Sequence, residues 1–455
     1  MIATNPEVAW MSQRTRILTQ IAGFRGWKVA EHRWESRDGA VIVPVGGYDV
    51  PADARLVLVL ERRWAPRCAK CLAIGADCHE KLRARRWADL PASGHPVVLE
   101  YAPWRLSCTR CGARAVELLA WAEPYQRQSR RLQHHLALDA FSMPLSHVST
   151  KWGLSWSTVR RAELDAIDRW DRTQPRVPLF MAGVDEKWLG RRHKRKEKYV
   201  TIVSNLEIGV PVWMGYGRDS ATLKSFLDSL TPEQKAAIKL FAVDMHEPFK
   251  KAIRDDPALA HAAVVHDPFH IIKRAGEAVT ELRRSVFFRA GPGLRAVGKG
   301  TRWLVLRAWE RQSDEERLRL RQLFRLNGKL ARAYQLVEEL RSVLKAPTED
   351  EFQDGFQRIL RRTRRRDNPA MRKLHESLAE HFEGIMALVE LRPPTGRIEA
   401  LNNNWETLVR RGRGYRNHAY LLKKLRFITA NPIRNSTGIK RFLALGLSTQ
   451  LTRAA

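Results

Sequence analysis

Apolar residues change their spacing along the chain, and each spacing predicts a different kind of element. In the N-terminal part, runs such as Val97–Tyr101 alternate apolar and polar residues, as half-buried β-strands do. Around Leu132–Phe141 apolar residues recur at helical intervals, and two shorter helical segments follow. From Leu179 to His266 the apolar runs have the length of buried strands, and from Ile271 to Pro393 the pattern is almost wholly helical. The chain therefore begins with a β module and a helical module and continues with an α/β module.

The strand-sized runs after Leu179 predict a mixed sheet covered by helices. Three runs come first, an amphipathic helix at Ala221–Leu230 follows, and two further runs complete the set. The predicted strands are Leu179–Val184, Tyr199–Ser204, Val210–Gly215, Lys239–Val243 and Ala262–Asp267.

A long helical segment follows these strands and predicts an all-α insertion in the α/β module. The predicted helices are Ala275–Phe288, Arg302–Trp309, Asp314–Leu326, Leu330–Leu344, Glu351–Arg361 and Met371–Leu391. Within this segment, Trp303 and Trp309 either pack between helices or stack on an unpaired DNA base.

A helix-turn-helix motif is predicted over residues 144–161. The first helix would begin at Ser146 as its N-cap, with Val148 and Trp152 facing inward, and end at Gly153, which suits a tight turn. Ser155 or Ser157 would then cap the second helix.

The second helix of such a motif enters the major groove of DNA. The candidate DNA contacts on it are Ser157, Arg160 and Arg161. A plain helical hairpin without DNA contacts is the alternative, and the segment Trp170–Pro178 is predicted to be a linker.

Charge favours the DNA-binding interpretation. The chain has 80 Lys and Arg against 49 Asp and Glu, a net charge of +31 at pH 7, and nucleic acid is the usual partner of so basic a protein. The clearest apolar run, Leu56–Leu60, is far too short to span a bilayer, and the N-terminus lacks the pattern of a secretory signal. We therefore expect a cytoplasmic, nucleoid-associated protein.

All five cysteines lie between Cys68 and Cys111, four of them in Cys-x-x-Cys pairs. Two such pairs can converge on one tetrahedral ion, as in zinc ribbons. We predict one structural Zn²⁺ with four thiolate ligands, Cys68, Cys71, Cys108 and Cys111. Two disulfides are the alternative, disfavoured without an export signal. Cys78 is left over, and the pair Cys78-His79 leaves open which residues complete the site.

Carboxylates follow two of the predicted buried strands. The first strand ends on Asp185-Glu186 and the fourth on Asp244. Neighbouring carboxylates on rigid elements bind hard cations such as Mg²⁺, and two such ions can support phosphodiester cleavage. A predicted helix over residues 395–410 offers a third carboxylate, Glu399, beside an apolar stripe. The stripe consists of Ile398, Leu401, Trp405, Leu408 and Val409, and on a helical wheel the neighbouring polar face consists of Glu399, Asn403, Glu406 and Arg410. Each acid alone is more often a cap or turn residue, so the prediction depends on all three.

Taken in order, these motifs resemble the zinc-ribbon DDE transposases of bacterial insertion sequences, the ISL-three group. The resemblance covers roughly residues 62–432. The segments that carry it are the two Cys-x-x-Cys pairs, the helix-turn-helix, Gly183–Glu186, Ala242–Met245, His266–His270, Gly396–Asn403 and Gly414–Asn417.

The resemblance implies an α/β RNase H-like catalytic core interrupted by an all-α insertion and preceded by a zinc-ribbon β module and a helix-turn-helix. It implies that Asp185, Asp244 and Glu399 are catalytic and hold two Mg²⁺, for which Mn²⁺ can substitute. The sequence departs from the family at Trp405-Glu406, where members continue with a Lys-containing basic stretch, so Glu406 stays a rival third ligand. Asp267 is interpreted as support for the site rather than as a ligand.

Basic clusters lie at residues 191–196, 361–366 and 410–416. Two of them flank the proposed acids in sequence, which favours phosphate binding over a merely solvated surface. The candidate DNA contacts in these two clusters are Arg191, Arg192, Lys194, Arg195, Arg410, Arg411 and Arg413. The cluster at 361–366 stays unassigned.

The sequence thus predicts a transposase that binds the terminal inverted repeats of an insertion sequence, cleaves double-stranded DNA and joins the 3′-OH end to target DNA. Because both ends must be synapsed, we expect a homodimer or higher oligomer. A catalytically inactive zinc and helix-turn-helix regulator derived from a transposase is the alternative. The expected domains are an N-terminal region with the zinc ribbon (1–120), a helix-turn-helix (121–175), the core (176–275 and 393–435), a helical insertion (276–392) and a C-terminal tail (436–455).

Overall fold

A computed structural model describes residues 15–44, 49–74, 76–189, 198–289, 291–364, 368–412 and 415–447. The chain divides into two compact units, one of Met1–Pro175 with Val409–Ala455 and the other of Arg176–Leu408. Within the described ranges, no helix is both long enough and apolar enough to cross a membrane.

The first unit begins with helix α1 over residues 15–22 and contains two sheets. The strands are β1 (Trp27–Glu35), β2 (Val41–Ile42), β3 (Arg55–Arg62), β4 (Asp77–Lys81), β5 (Arg85–Ala92), β6 (His95–Tyr101), β7 (Trp104–Ser107) and β8 (Arg114–Val116). Five of them form a sheet in the order β2-β1-β3-β6-β5, and β4-β7-β8 form a smaller one. The segment between the cysteine pairs is therefore shared by both sheets. Strand β6 belongs to the larger sheet, and its alternate residues Val97, Leu99 and Tyr101 are buried in the core of that sheet.

Tryptophan rings fill that core. The Trp121 ring lies edge-on to those of Trp27 and Trp87, with centroids 5.7 and 5.1 Å apart. Such edge-to-face pairs add about 0.5–1.5 kcal/mol each beyond the area that they bury. Part of the tryptophan content thus stabilises this sheet.

The helices of the first unit are α2 (Arg130–Ser142), α3 (Leu145–Trp152), α4 (Trp156–Arg172), α17 (His418–Ala430) and α18 (Ser436–Leu447). Trp170 packs against Phe427 with ring centroids 5.1 Å apart and is buried. Helix α4 therefore continues through Arg172, and the prediction of a linker from Trp170 onwards is wrong for those residues.

The helix-turn-helix has the predicted turn but a different start. Ser146 lies inside α3, whose N-cap is Pro144 in an extended conformation without a side-chain cap. The Ser146 cap is therefore wrong, since Pro144 fixes φ for a helix entry two residues earlier. Gly153 is left-handed, with φ 61°. Of the two serines left open for α4, Ser155 is the cap, since its hydroxyl accepts from the Thr158 N–H at 3.2 Å.

The second unit is built on a five-stranded mixed sheet. Its strands are β9 (Met181–Trp188), β10 (Tyr199–Asn205), β11 (Val210–Tyr216), β12 (Leu240–Val243) and β13 (Ala263–His266), in the order β11-β10-β9-β12-β13. The first three are antiparallel neighbours, whereas β9, β12 and β13 run parallel. The helices α5 (Ser220–Leu227), α6 (Pro232–Ala237) and α7 (Glu247–Arg254) connect the strands.

Most of the remaining residues of the second unit are helical. The helices are α8 (Pro268–Arg283), α9 (Pro292–Gly298), α10 (Arg302–Leu306), α11 (Asp314–Leu326), α12 (Gly328–Val343), α13 (Glu349–Arg364), α14 (Pro369–Glu380), α15 (Phe382–Leu391) and α16 (Gly396–Gly412). The predicted single helix Met371–Leu391 is wrong, since it breaks at His381. That side chain is buried and its ring lies 4.9 Å from the His266 ring, so packing onto β13 outweighs helical continuity.

Candidate active site and metal centre

Three aspartates lie in one row across the parallel strands of the second unit. Val184 of β9 is paired with Val243 of β12, which is paired with His266 of β13. The residues that follow these three are Asp185, Asp244 and Asp267. Parallel neighbours lie about 4.8 Å apart, so register alone brings the aspartates to one line.

Asp185 lies inside its strand rather than at the end. Strand β9 continues to Trp188 because it stays paired with β10, so it runs two residues beyond the predicted end at Asp185-Glu186. The carboxylate is 5% exposed and has three partners. Its Oδ1 accepts from the Glu186 N–H at 2.8 Å, while Oδ2 lies 2.7 Å from Asn402 Nδ2 and 2.9 Å from Lys187 Nζ.

Asp244 comes directly after β12, as predicted, and its Oδ1 accepts from the His246 N–H at 2.7 Å. Asp267 is 5% exposed and caps α8, accepting from the Phe269 N–H at 3.0 Å. The His270 ring lies between them, with Nδ1 3.9 Å from Asp244 Oδ2 and Nε2 4.0 Å from Asp267 Oδ2. A histidine thus spans two of the three aspartates.

Helix α16 carries Glu399 to this edge of the sheet. The predicted apolar stripe holds, since Ile398, Leu401, Trp405 and Leu408 are buried. Ile398 packs over Gly183 of β9 so closely that a Cβ at Gly183 would lie 3.1 Å from its Cδ1. One turn after Glu399, the Asn402 amide bonds Asp185, which places both polar side chains on the side of α16 that faces the aspartates. Glu406, the rival third ligand, lies two turns further along the helix, and both glutamates are exposed.

Negative charge accumulates around this row. Burial raises the pKa of Glu186 to about 7, and the neighbouring Asp244 and Asp185 carboxylates add to the shift. Burial also raises the pKa of Asp267, with Asp185 and Glu399 contributing in the same direction. These five carboxylates, linked by such repulsions, favour a cation among them.

The carboxylates do not form a closed cage. Within the part of the chain that the structure describes, only the four cysteines bring three or more such ligand atoms within 4.8 Å of one another. The carboxylate group is therefore the more open of the two candidate metal sites.

Sequence reasoning missed several neighbours of the site. Asn402 stood in a quoted motif, but the helical wheel placed Asn403 rather than Asn402 beside Glu399. His270 and Lys187 follow the aspartates closely in sequence, which was the available signal. No sequence signal pointed to Arg218. Its guanidinium lies 4.1 Å from the Tyr199 ring centre, and its charge opposes the upward shift in the pKa of Glu186.

The predicted zinc ligands come together in the first unit. Cys68 Sγ lies 3.8 Å from Cys111 Sγ, and Cys71 Sγ lies 3.5 Å from Cys108 Sγ. A tetrahedral zinc with bonds of about 2.3 Å requires sulfur atoms about 3.8 Å apart, so this group could hold a zinc ion. Cys78 is exposed and does not belong to the cluster.

The two cysteine pairs form matching turns. In the first turn, the Cys68 N–H donates to the Ala73 carbonyl and the Leu72 N–H donates to the Cys68 carbonyl. In the second turn, the Cys108 N–H donates to the Ala113 carbonyl and the Gly112 N–H donates to the Cys108 carbonyl. Leu72 and Gly112 are both left-handed, with φ 63° and 66°. Local backbone bonds therefore hold each thiolate pair.

The helix-turn-helix candidates lie near the start of α4. Ser157 and Arg161 are exposed, whereas Arg160 is half-buried, with its guanidinium 5.0 Å from the Tyr420 ring centre. A cleft of about 840 Å³ opens beside Arg160, between the start of α3 and a basic rim of Arg410, Arg411 and Arg416. Arg413 and the cluster at 191–196, with Arg191, Arg192, Lys194 and Arg195, lie outside the described residues.

The two tryptophans of the helical segment differ. Trp309 is half-buried against the core, with Arg317 and Arg321 at 5.6 and 5.4 Å from its ring centre. Trp303 is 67% exposed and lies 5.3 Å from the Arg302 guanidinium. Packing accounts for Trp309 and does not account for Trp303.

Comparisons with known proteins give this arrangement a class. A transposase family model of the DDE type and the ISL3 group matches residues 182–425. The model for the helix-turn-helix domain of transposase family ISL3 matches residues 117–167.

Curated relatives agree over most of the chain. It is 26% identical to the transposase for insertion sequence element IS1001 of Bordetella parapertussis, across 90% of this chain and 97% of the relative. It is 24% identical to the transposase for insertion sequence element IS1557 of Mycobacterium tuberculosis, across 78% of this chain and 84% of the relative.

A helix-turn-helix domain joined to a DDE-type domain of mixed α/β structure defines an insertion-sequence transposase. Because the DDE model covers more than half of its length, the chain belongs to the ISL3 family of transposases.

Proposed function

We propose that this transposase binds the terminal inverted repeats of its element, cleaves a DNA strand there and joins the freed 3′-OH to target DNA. The observation that carries the proposal is the row of Asp185 and Asp244 in adjacent parallel strands, with the helix of Glu399 attached to it by the 2.7 Å bond from Asn402 to Asp185. Residues far apart in sequence thus meet at one sheet edge.

The second unit supports an RNase H-like core. Its strand order, with three antiparallel strands followed by two parallel ones, is what the proposed fold requires, and the helices between Asp267 and Glu399 are then an insertion. The proposed domains end at residues 120, 175, 275, 392 and 435, as the sequence predicts.

The residues at the carboxylate row fit a magnesium site. Asp185, Asp244 and Glu399 offer oxygen ligands, and Asn402 Oδ1 is buried without a hydrogen-bond partner among the described residues. Two bound Mg²⁺ ions, or Mn²⁺ in their place, would activate the attacking oxygen and stabilise the leaving oxygen of a phosphodiester.

The protein's own side chains prepare this site. Lys187 and Asn402 hold Asp185 in one orientation. Asp267 fixes the start of α8 and so positions His270 between itself and Asp244; we propose it as a supporting residue rather than a ligand.

DNA recognition is assigned to the first unit, together with the basic cluster at 191–195 of the second. We propose that α4 enters the major groove with Ser157, Arg160 and Arg161. We propose that Arg410, Arg411 and Arg413 contact phosphates, and that the arginines and the lysine at 191–195 do the same. One structural Zn²⁺ at the four cysteines would hold the ribbon. Since two ends must be joined, the active form is a homodimer or higher oligomer on DNA.

The test uses a labelled duplex that carries the element's terminal repeat and an unlabelled target plasmid. Wild type is expected to cut and join strands in Mg²⁺, whereas Asp185→Ala, Asp244→Ala and Glu399→Ala bind the end but do neither. Glu406→Ala is the matched control on the same helix and should retain activity. If Glu406→Ala were inactive and Glu399→Ala active, Glu406 would be the third ligand instead of Glu399.

Two results would contradict the proposal. If wild type binds the end but neither cuts nor joins strands in Mg²⁺ or Mn²⁺, the chain is a DNA-binding regulator. Cutting without joining would indicate a nuclease instead.

A further inference from the structure

The first unit exposes an aromatic ring on a strained turn. Tyr125 is 99% exposed, so its ring contributes nothing to the core. Its φ of 60° is left-handed, a conformation that costs energy in a residue with a Cβ atom. Neither burial nor backbone geometry therefore accounts for a tyrosine here.

The turn itself would suit glycine at this position. The Gln126 N–H donates to the Glu123 carbonyl at 3.2 Å, which closes a β-turn with Pro124 second and Tyr125 third. Proline followed by a positive φ is the pattern of a type II turn, which favours glycine at the third position. Glycine would make the same turn without strain, so the tyrosine adds only its ring.

Both flanks of the ring are fixed. The Gln126 side-chain amide donates to Asp165 of α4 at 2.7 Å. The Arg127 carbonyl accepts from the Ala88 N–H at 2.8 Å, and its guanidinium lies 5.6 Å from the Trp87 ring centre. The turn is therefore attached to both α4 and β5, and it presents the ring from a rigid base.

Tyr125 also lines two neighbouring grooves. One, of about 720 Å³, is lined by the turn and by Ser157, Arg160 and Arg161 of α4. Its acids are engaged, Asp165 with Gln126 and Asp168 with Lys423. The other, of about 820 Å³, borders the cysteine cluster and is lined in part by Lys70, His79, Arg85, Arg105 and Arg114. Basic residues on both sides match a DNA backbone.

We propose that the turn Glu123–Gln126 contacts DNA and that the Tyr125 ring enters the minor groove next to the major-groove segment occupied by α4. The inference rests on the end-binding function proposed above. Along one face of a duplex the minor groove follows the major groove, so DNA seated on α4 and extending toward the ribbon passes over this ring. An aromatic ring there packs against sugars and base edges and can part a base step.

The experiment compares full-length wild type, Tyr125→Ala, Tyr125→Phe and Trp64→Ala on the labelled end duplex and on a scrambled duplex. Trp64 is the matched control, because it is another aromatic residue of the first unit and is 62% exposed. Binding is measured at one salt concentration, and hydroxyl-radical footprinting reports protection of sugars in the minor groove. Thermal unfolding of each variant shows whether it is folded.

We expect Tyr125→Ala to bind the end duplex about tenfold more weakly, the scale of one base–aromatic contact. It should also lose sugar protection beside the α4 footprint while unfolding at no lower temperature. Tyr125→Phe and Trp64→Ala should match wild type. Binding and footprint unchanged in Tyr125→Ala would overturn the inference and leave end binding intact. Failure of wild type to prefer the end duplex would overturn the proposed function and this inference with it.

Discussion

The two candidate metal sites of this transposase are built in opposite ways. The thiolate cluster closes on itself, with Sγ atoms 3.5 and 3.8 Å apart across the two pairs. Each pair is held by backbone bonds within its own turn. The carboxylate site is open, and its bond from Asn402 to Asp185 joins residues 217 positions apart.

The difference follows from the roles proposed for the two sites. A structural zinc needs all four positions filled by protein, and short local turns can pre-form them. A site that cleaves DNA must leave room for ions and substrate, so its ligands come from separate elements whose distances depend on packing. Local sequence therefore determines the first site, and the fold of the whole second unit determines the other.

Removal of the proposed zinc ligand Cys108 should have the largest effect. Structural zinc contributes on the order of 10 kcal/mol to the folding of small zinc domains, so Cys108→Ser is expected to lose zinc and unfold β4, β7 and β8. Metal analysis and hydrogen exchange measure both changes, with exposed Cys78→Ser as the control. The assignment would be contradicted if purified wild type held no zinc and its ribbon amides were as protected from hydrogen exchange as those of the core.

Acid should destabilise the second unit through His266. Burial lowers the pKa of this histidine to about 4, and His381 and Lys250 add to the shift. His266 takes up a proton near pH 6.5 in the unfolded chain but only near pH 4 in the folded one. The free energy of unfolding is therefore unaffected by this group above pH 6.5. It declines by about 3 kcal/mol as the pH falls from 6.5 toward 4.

Denaturant unfolding at several pH values measures that decline. His266→Gln should flatten the curve between pH 6.5 and about 4, whereas exposed His261→Gln should leave it unchanged. Equal slopes in wild type and His266→Gln would refute the assignment.

The attachment of α16 to the sheet can be tested at Gly183. A Cβ there would lie 2.7 Å from Leu206, 2.8 Å from Ser204 and 3.1 Å from Ile398. Gly183→Ala is expected to cost about 2 kcal/mol of unfolding free energy and to reduce strand cleavage further, because α16 must shift. Gly396→Ala, with nothing within 4 Å of its Cβ, is the control on the same helix. Full cleavage by a destabilised Gly183→Ala would show that the position of α16 does not limit the chemistry.

The smallest effect concerns the bond between the helix and the first aspartate. Asn402→Ala removes the donor to Asp185 and should slow cleavage about tenfold, or about 1.4 kcal/mol, with little change in end binding. Exposed Asn403→Ala is the neighbouring control. A cleavage rate equal to that of wild type would mean that Lys187 and the Glu186 N–H suffice to orient Asp185.

Much of the fold was predictable because its elements have strong local signals. The prediction of helix α11 at Asp314–Leu326 is confirmed to the residue, and Gly153 ends α3 in the left-handed turn expected of it. The errors come from tertiary contacts. Trp170 extends α4 through its packing on Phe427, and His381 breaks a helix by packing on His266.

The sequence by itself determined which chemistry is present: four cysteines in two local turns, acids near buried strands, and a basic chain with a helix-turn-helix. These features depend on residue type and short-range spacing. Only the tertiary structure decided that Asp185, Asp244 and Asp267 share one row, that Asn402 rather than Asn403 faces it, and that His270 spans two of its carboxylates. Strand register and helix rotation are set by the burial of whole faces, and no short stretch of sequence contains that information.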